Sequence, residues 1–168
     1  VFDEKKLMWV SSQHLAVMPV KDVIKEIALL DTNWGKGFEK SFLKDIVSLI
    51  KDRSKTITEI LEMSQIFMKD SIVVEPDLID KSFDENAVII LGDFKAALEI
   101  QDHWNKEAIE NIFDNLMTQH GVAIGKIMKP VRIALTGIPF GPGIFDLIVL
   151  LGKNKCMARI EKILNSVS

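Results

Sequence analysis

Side chains that could perform acid–base, nucleophilic or metal chemistry are few and scattered in this sequence. The three histidines, His14, His103 and His120, lack the spacing of metal ligands, and none pairs with a carboxylate in a known metal motif. The single cysteine, Cys156, falls on an apolar helical face, which favours packing over a nucleophilic role. The sequence therefore predicts no catalytic residue and no metal site in this chain.

Nucleotide-binding loops are also absent. Neither G-x-x-x-x-G-K-[ST] nor G-x-G-x-x-G occurs, and no segment alternates apolar and polar residues as a strand would. With one cysteine the chain can form no internal disulfide, which fits a reducing compartment. No apolar run is long enough to cross a bilayer, and the first residues do not resemble a signal peptide. We expect a soluble, cytoplasmic protein that does not contact a membrane.

Charge is distributed unevenly along the 168 residues, although the net value is only −3. Residues 1–70 are neutral overall, residues 71–119 carry a net charge of −8, and residues 120–168 carry +5. A basic end beside an acidic middle could place the first against phosphate and the second toward solvent. Solvated faces of unequal sign explain the same pattern, so charge alone leaves both interpretations open.

Apolar residues recur at spacings of three and four almost throughout, which indicates helices. Predicted helices begin at Pro19 and Thr56, and others cover about residues 39–52, 86–100, 105–119, 144–151 and 153–164, with Pro130 separating two short helical pieces. Pro76 disfavours helix at Glu75 before it and marks a boundary between subdomains. The predicted fold is all-α, with two packed small helical bundles at residues 1–74 and 75–168.

Two stretches of sequence are far more specific than composition. The first is FDEKKLMWV at residues 2–10, followed by SSQHL at 11–15. The second is PVRIALTG at 130–137, followed by GPGIF at 141–145, LLGK at 150–153 and ARIE at 158–161. In this order and at this separation, they resemble the C-terminal anticodon-binding region of bacterial-type glutamyl-tRNA synthetases.

The resemblance implies a module that binds the anticodon arm of a tRNA. We expect a monomer. It also implies that the chain is a fragment of a larger class I synthetase, and the first residue, Val rather than Met, agrees with that expectation. The catalytic domain, which uses ATP and Mg to attach glutamate to tRNA, would lie outside this chain. No cofactor and no activity are expected of the fragment alone.

Arg53 matches the family arginine that reads the third anticodon base in enzymes restricted to glutamate tRNA. A guanidinium offers only donors, so it suits the acceptors O2 and N3 of cytosine and not the N1–H and N2–H₂ donors of guanine. Glutamate and glutamine anticodons differ at this base, C against G. The resemblance therefore implies a discriminating enzyme, although Arg53 could also be an ordinary cation at a helix end.

Arg132 and the loop residues Gly141, Pro142 and Ile144 match the family's recognition of the first two anticodon bases. Splayed bases can be stacked and hydrogen-bonded by a rigid turn of this kind. The family often has Ser or Thr before the proline, whereas Gly141 has no hydroxyl, so a contact there must come from the main chain. For Arg132 the alternative is capping or packing between helices.

Five basic side chains are candidate phosphate contacts, which would position the RNA without selecting its sequence. They are Lys126, Lys129, Lys153, Lys155 and Arg159. Trp9, Trp34 and Trp104 are assigned to core packing because large aromatic residues at helical spacing usually anchor cores.

Two other functions remain open from the sequence. A helical protein-interaction or scaffold domain would bind through apolar grooves and would respond weakly to salt, whereas RNA binding falls steeply as salt rises. A self-contained enzyme is the third possibility, and it would require activity from this chain alone.

Overall fold

The computed structural model describes residues 13–168, which form two compact units that meet in sequence between Lys69 and Asp70. The boundary predicted from the sequence came a few residues later, after Val74. Residues 70–74 are part of the second unit because side chains of that unit hold their backbone. Lys162 Nζ, for example, donates a hydrogen bond to Ile72 O at 3.0 Å. The stretch at residues 2–10 and Trp9 lie outside the described residues.

Among residues 18–69, the first unit has three helices that all pack against one another. They are α1 (Val20–Leu30), α2 (Lys40–Lys51) and α3 (Ile57–Met68). Residues 13–17 form a further helical segment before α1. The buried apolar faces predicted from the three-to-four spacing form the core, with Ile27, Ile46, Ile60 and Phe67 fully enclosed.

Local capping fixes where α3 begins. The Thr56 hydroxyl accepts the Glu59 N–H at 3.1 Å, and the Glu59 carboxylate accepts the Lys55 N–H at 2.6 Å. This arrangement confirms the capping signal in the sequence. Trp34 is buried, and its indole Nε1–H donates to Ser64 Oγ at 2.8 Å, so the predicted core role of Trp34 is also confirmed.

The second unit contains six helices within the described residues. They are α4 (Pro76–Ser82), α5 (Glu85–Glu99), α6 (Lys106–His120), α7 (Gly125–Thr136), α8 (Ile144–Leu151) and α9 (Lys153–Val167). Helix α5 packs against α6, α7 and α9, while α4 contacts α7. Residues 13–168 contain no strand, so the all-α prediction is confirmed for them.

Aromatic rings connect three helices of this unit. Phe113 on α6 packs edge-on against Phe94 on α5, with ring centroids 5.4 Å apart, and against Phe145 on α8 at 5.0 Å. Trp104 is half-buried and its indole N–H donates to Val149 O at 3.0 Å. Cys156 is enclosed, and burial raises the pKa of its thiol to about 12, which agrees with a packing role. None of the helices in the described part of the chain is long and apolar enough to span a membrane.

The prolines behave differently from the sequence prediction. Pro130 lies inside the continuous helix α7, so the predicted break there is wrong. The proline removes one backbone hydrogen bond, to the carbonyl of Lys126 in the exposed first turn, and its ring is buried. Pro76 begins the short helix α4, which the sequence analysis missed. A proline at the first position of a helix forfeits no internal hydrogen bond.

The end of α7 is closed by Thr136 and Gly137. The Thr136 hydroxyl lies 2.7 Å from Arg132 O and accepts the Ile138 N–H at 3.2 Å. Gly137 is left-handed, with φ +79°, and a Cβ there would lie 2.8 Å from Val73 O. The Ala-Leu-Thr-Gly motif therefore stops α7 at a fixed point and sets the direction of the loop that follows.

We expect Gly137→Ala to lower the free energy of unfolding by about 3 kcal/mol, because a left-handed φ and a collision with backbone act together. Gly121→Ala is the matched control. Gly121 also has a left-handed φ, of +62°, but its Cβ would meet nothing within 4 Å. That change should cost only about 1 kcal/mol. Urea unfolding measures both, and equal losses would contradict the role assigned to Val73 O.

Candidate nucleic-acid interface

Arg53 lies in the first unit, in the turn that joins α2 to α3. Its backbone N–H donates to Ile50 O at 3.3 Å, which continues the last turn of α2, and its side chain is exposed. The Ser54 hydroxyl donates to the same Ile50 carbonyl at 2.8 Å. The backbone of Arg53 is thus held by the end of α2, and the residue is exposed.

Arg132 and the loop at residues 137–143 lie together in the second unit. The half-buried Arg132 side chain extends from α7, and its Nη1 donates to Pro142 O at 2.7 Å. Gly141 has φ +143°, and a Cβ there would lie 3.4 Å from Arg132 Nη1. The Arg132 side chain therefore stabilises the conformation of the loop. This is a structural role of the kind that the sequence analysis gave as the alternative to RNA recognition.

The other predicted loop residues differ in exposure. Pro142 is buried, and Ile144 is only 1% exposed because its side chain begins the core face of α8. Neither side chain offers a surface on which a base could stack. Contacts from these positions must come from the main chain, as the sequence already required at Gly141.

Phe140 is the residue of this loop that the sequence analysis did not select. Its side chain is 64% exposed, and it lies between the half-buried Gly141 and the exposed Pro139. An exposed aromatic ring in a turn next to Gly141 is the kind of surface on which single-stranded RNA bases stack. In the sequence, the turn residues Pro139 and Gly141 on either side indicated that Phe140 lies in a loop.

Lys126 and Lys129 are exposed on one face of α7, three residues apart. Both line a cavity of about 460 Å³ in the second unit, together with residues of α4, α5 and the end of α6. Their predicted roles as phosphate contacts agree with this exposure.

Lys153 and Lys155 are half-buried at the start of α9. Lys153 Nζ donates to the carbonyls of Glu99 at 2.9 Å and of Gln101 at 3.0 Å, and so satisfies the C-terminal end of α5. Burial and the neighbouring Arg159 hold the pKa of Lys155 below its usual value, while Asp70 acts in the opposite direction. The structure therefore uses Lys153 as a helix cap, a role the sequence analysis did not foresee.

Arg159 does not fit the phosphate role expected of it. It is 2% exposed, and its Nη1 donates to Leu135 O at 2.7 Å, in the last turn of α7. Burial holds the pKa of its guanidinium below the usual value, and the positive charge is shielded from a surface phosphate. Arg159 lies three residues after the buried Cys156 and four before the buried Ile163, so helical spacing places it on the apolar face of α9.

A family model described as an anticodon binding domain matches residues 16–164. Among known proteins, the chain is 23% identical to the glutamate-tRNA ligase of Thermodesulfovibrio yellowstonii, over 99% of this chain and 37% of that protein. It is 29% identical to the ligase of Chloroherpeton thalassium, over 96% of this chain and 34% of the other. The chain thus spans about a third of the length of these relatives.

Two solved structures resemble this chain in fold. The glutamate tRNA ligase of Elizabethkingia meningosepticum, crystallised with its amino acid, matches with a TM-score of 0.86 and 22% identity, covering 99% of this chain and 33% of that one. The glutamate-tRNA synthetase of Elizabethkingia anophelis matches with a TM-score of 0.75 and 24% identity, covering 98% and 32%. At these identities the likeness establishes the all-helical fold.

Arg159→Met should lower the free energy of unfolding by about 2 kcal/mol, because the buried Leu135 carbonyl loses a charged donor. Lys126→Met, at an exposed position of α7, should change it by less than about 0.5 kcal/mol. Chemical denaturation of the two variants separates the roles. Similar stabilities would mean that the Arg159 contact does not hold α9 to α7.

Proposed function

The chain belongs to the anticodon-binding domain family, and from that membership we propose that it recognises the anticodon arm of glutamate tRNA as part of a glutamate-tRNA ligase. The match over residues 16–164 carries the proposal, because it covers both compact units. All the relatives named above are glutamate-tRNA ligases or synthetases, which supports the amino acid named here. The attachment of glutamate, with ATP and Mg, belongs to the rest of the enzyme in this proposal.

The first unit supplies the discrimination between glutamate and glutamine tRNAs. Arg53 is exposed at the α2–α3 turn, and its backbone is fixed by α2. Such an arginine can donate two hydrogen bonds to the O2 and N3 atoms of cytosine. Guanine presents donors at its Watson–Crick edge, and the desolvated groups would then lack partners.

The second unit holds the first two anticodon bases. Single-stranded bases that leave their stack need a flat surface and main-chain hydrogen-bonding groups. Phe140 supplies the surface, and the backbone around Gly141 supplies the hydrogen-bonding groups. Arg132 keeps this backbone in one conformation through its bond to Pro142 O. A loop fixed before binding loses less conformational entropy when RNA arrives.

Arg53→Gln should reduce the preference for cytosine over guanine at the third anticodon base. The two RNAs for this test are anticodon stem-loops that differ only at that base, with binding followed by fluorescence anisotropy. The unsubstituted chain should bind the cytosine stem-loop about 5- to 150-fold more tightly than the guanine stem-loop. This ratio corresponds to a cost of roughly 1–3 kcal/mol for the hydrogen-bonding groups that guanine leaves unpaired. Arg53→Gln should bring the ratio close to one.

Lys40→Gln is the control for this experiment. It removes one positive charge from an exposed position at the start of α2, so it should weaken both RNAs slightly and leave their ratio unchanged. An unaltered ratio in Arg53→Gln would reject discrimination by Arg53. Binding that does not respond to salt would favour a protein-interaction role, because phosphate contacts give a log–log slope of about −0.7 each in single strands.

Phe140→Ala should weaken stem-loop binding by about 5- to 150-fold, since stacking of one base on an aromatic ring contributes roughly 1–3 kcal/mol. The stability of the free protein should stay nearly constant because the ring is exposed. Ile100→Ala removes another exposed apolar side chain of the second unit and should leave binding unchanged. Equal effects of the two substitutions on binding would show that Phe140 does not contact the RNA.

A further inference from the structure

Residues 71–74 form a strap, a segment without helix that leads toward α4 in the second unit. No residue of the strap forms a backbone–backbone hydrogen bond with another residue in the described range 13–168. A side chain holds its backbone instead, since Lys162 Nζ on α9 donates to Ile72 O at 3.0 Å. The two residues are 90 positions apart, so this one bond fastens the strap to the last helix of the unit.

Apolar packing beneath the strap is incomplete. A cavity of about 120 Å³ is lined by all three apolar residues of the strap, by Ala134 of α7 and by Ile163 of α9. Side chains that border a void lose the dispersion contacts that close packing would give them. The Val73 side chain adds little, because it is 81% exposed. The strap therefore depends on the Lys162 bond more than a closely packed segment would.

The strap contacts the loop at residues 137–143 at the point where that loop begins. A Cβ on Gly137 would lie 2.8 Å from Val73 O and 3.8 Å from Ile72 Cδ1, so the strap lies directly against this glycine. Gly137 has a φ of +79°, and its conformation sets the direction in which the loop leaves α7. A displacement of the strap would open space beside Gly137 and let the start of the loop move.

We infer that Lys162 is a positioning residue for this loop, because it holds the strap against Gly137 and so keeps the loop in its RNA-binding conformation. Arg132 holds the other end of the loop through Pro142 O. The inference rests on the RNA contacts proposed for residues 139–141, and Lys162 itself touches no RNA. A loop that samples several conformations binds more weakly, in proportion to the fraction that is competent to bind.

Lys162→Met removes the donor and keeps the aliphatic part of the side chain. The N–H of Ile138 bonds to Thr136 Oγ1 at 3.2 Å at the start of the loop, and its hydrogen exchange should become about fivefold faster as the strap opens more often. Gly121→Ala is the control, because it should lower stability by a similar amount at a position with nothing within 4 Å of the added Cβ. The exchange of Ile138 should not change in that variant.

Two results of the exchange experiment overturn the inference. Unchanged exchange at Ile138 in Lys162→Met would mean that the strap does not hold the loop. Equal acceleration in Lys162→Met and Gly121→Ala would mean that the bond contributes only to overall stability. Both results can be read in the absence of RNA.

Stem-loop binding tests the consequence for recognition. Lys162→Met should bind the cytosine and guanine stem-loops about fivefold more weakly, with an unchanged log–log salt slope because no phosphate contact is lost. Lys162→Arg keeps a donor at this position and should restore the affinity. A slope lowered by about 0.7 in Lys162→Met would make Lys162 a direct phosphate contact and would overturn the inference.

The two experiments separate this inference from the proposed function. If the unsubstituted chain binds neither stem-loop, the proposed function fails, and the inference fails with it as a statement about RNA binding even where Ile138 exchanges faster. If the unsubstituted chain and Lys162→Met bind the stem-loops equally well, the inference fails while the proposed function stands.

Discussion

The last turn of α7 is buried, and the rest of the second unit is organised around the need to satisfy its carbonyl groups. A helix leaves four C=O groups without internal partners at its end, and water cannot reach them here. Gly137 N–H donates to Ile133 O at 2.8 Å, Thr136 Oγ1 lies 2.7 Å from Arg132 O, and Arg159 donates to Leu135 O. The Arg159 bond also holds α9 to this helix end, the Thr136 hydroxyl accepts the N–H of Ile138 in the loop that follows, and Gly137 leaves room for the backbone of Val73.

This arrangement gives a structural role to the Ala-Leu-Thr-Gly segment at residues 134–137. None of its side chains is exposed enough to touch RNA. Thr136 and Gly137 stop the helix, and Arg132, four residues before Thr136, then reaches the loop at Pro142 O. The proposed recognition surface at residues 139–141 therefore follows a helix end of fixed geometry. Such preorganisation suits the proposed function, in which the loop would present the same backbone groups to each tRNA.

The sequence predicts the helices well because they depend on local signals: a capping Thr56, a left-handed Gly121 and apolar residues at helical spacing. It fails at Pro76 and Pro130, where a proline can begin, break or sit within a helix, and only tertiary packing decides. The candidate site was likewise predicted only in part. Residue types on the loop were identified from the motif, but the burial of Ile144 and the exposure of Phe140 depend on contacts between elements distant in sequence.

The basic side chains show most clearly what charge counting misses. Residues 120–168 carry a net charge of +5, which the sequence analysis took as a possible surface for phosphate. Four of these cations, Arg132, Lys153, Arg159 and Lys162, instead donate hydrogen bonds to backbone carbonyls at loops and helix ends. A cation near a helix C-terminus is stabilised by the helix dipole and serves as a cap. Part of the positive charge therefore stabilises the fold, and Lys126 and Lys129, exposed on α7 beside Lys81, form the cationic surface that remains open to a phosphate.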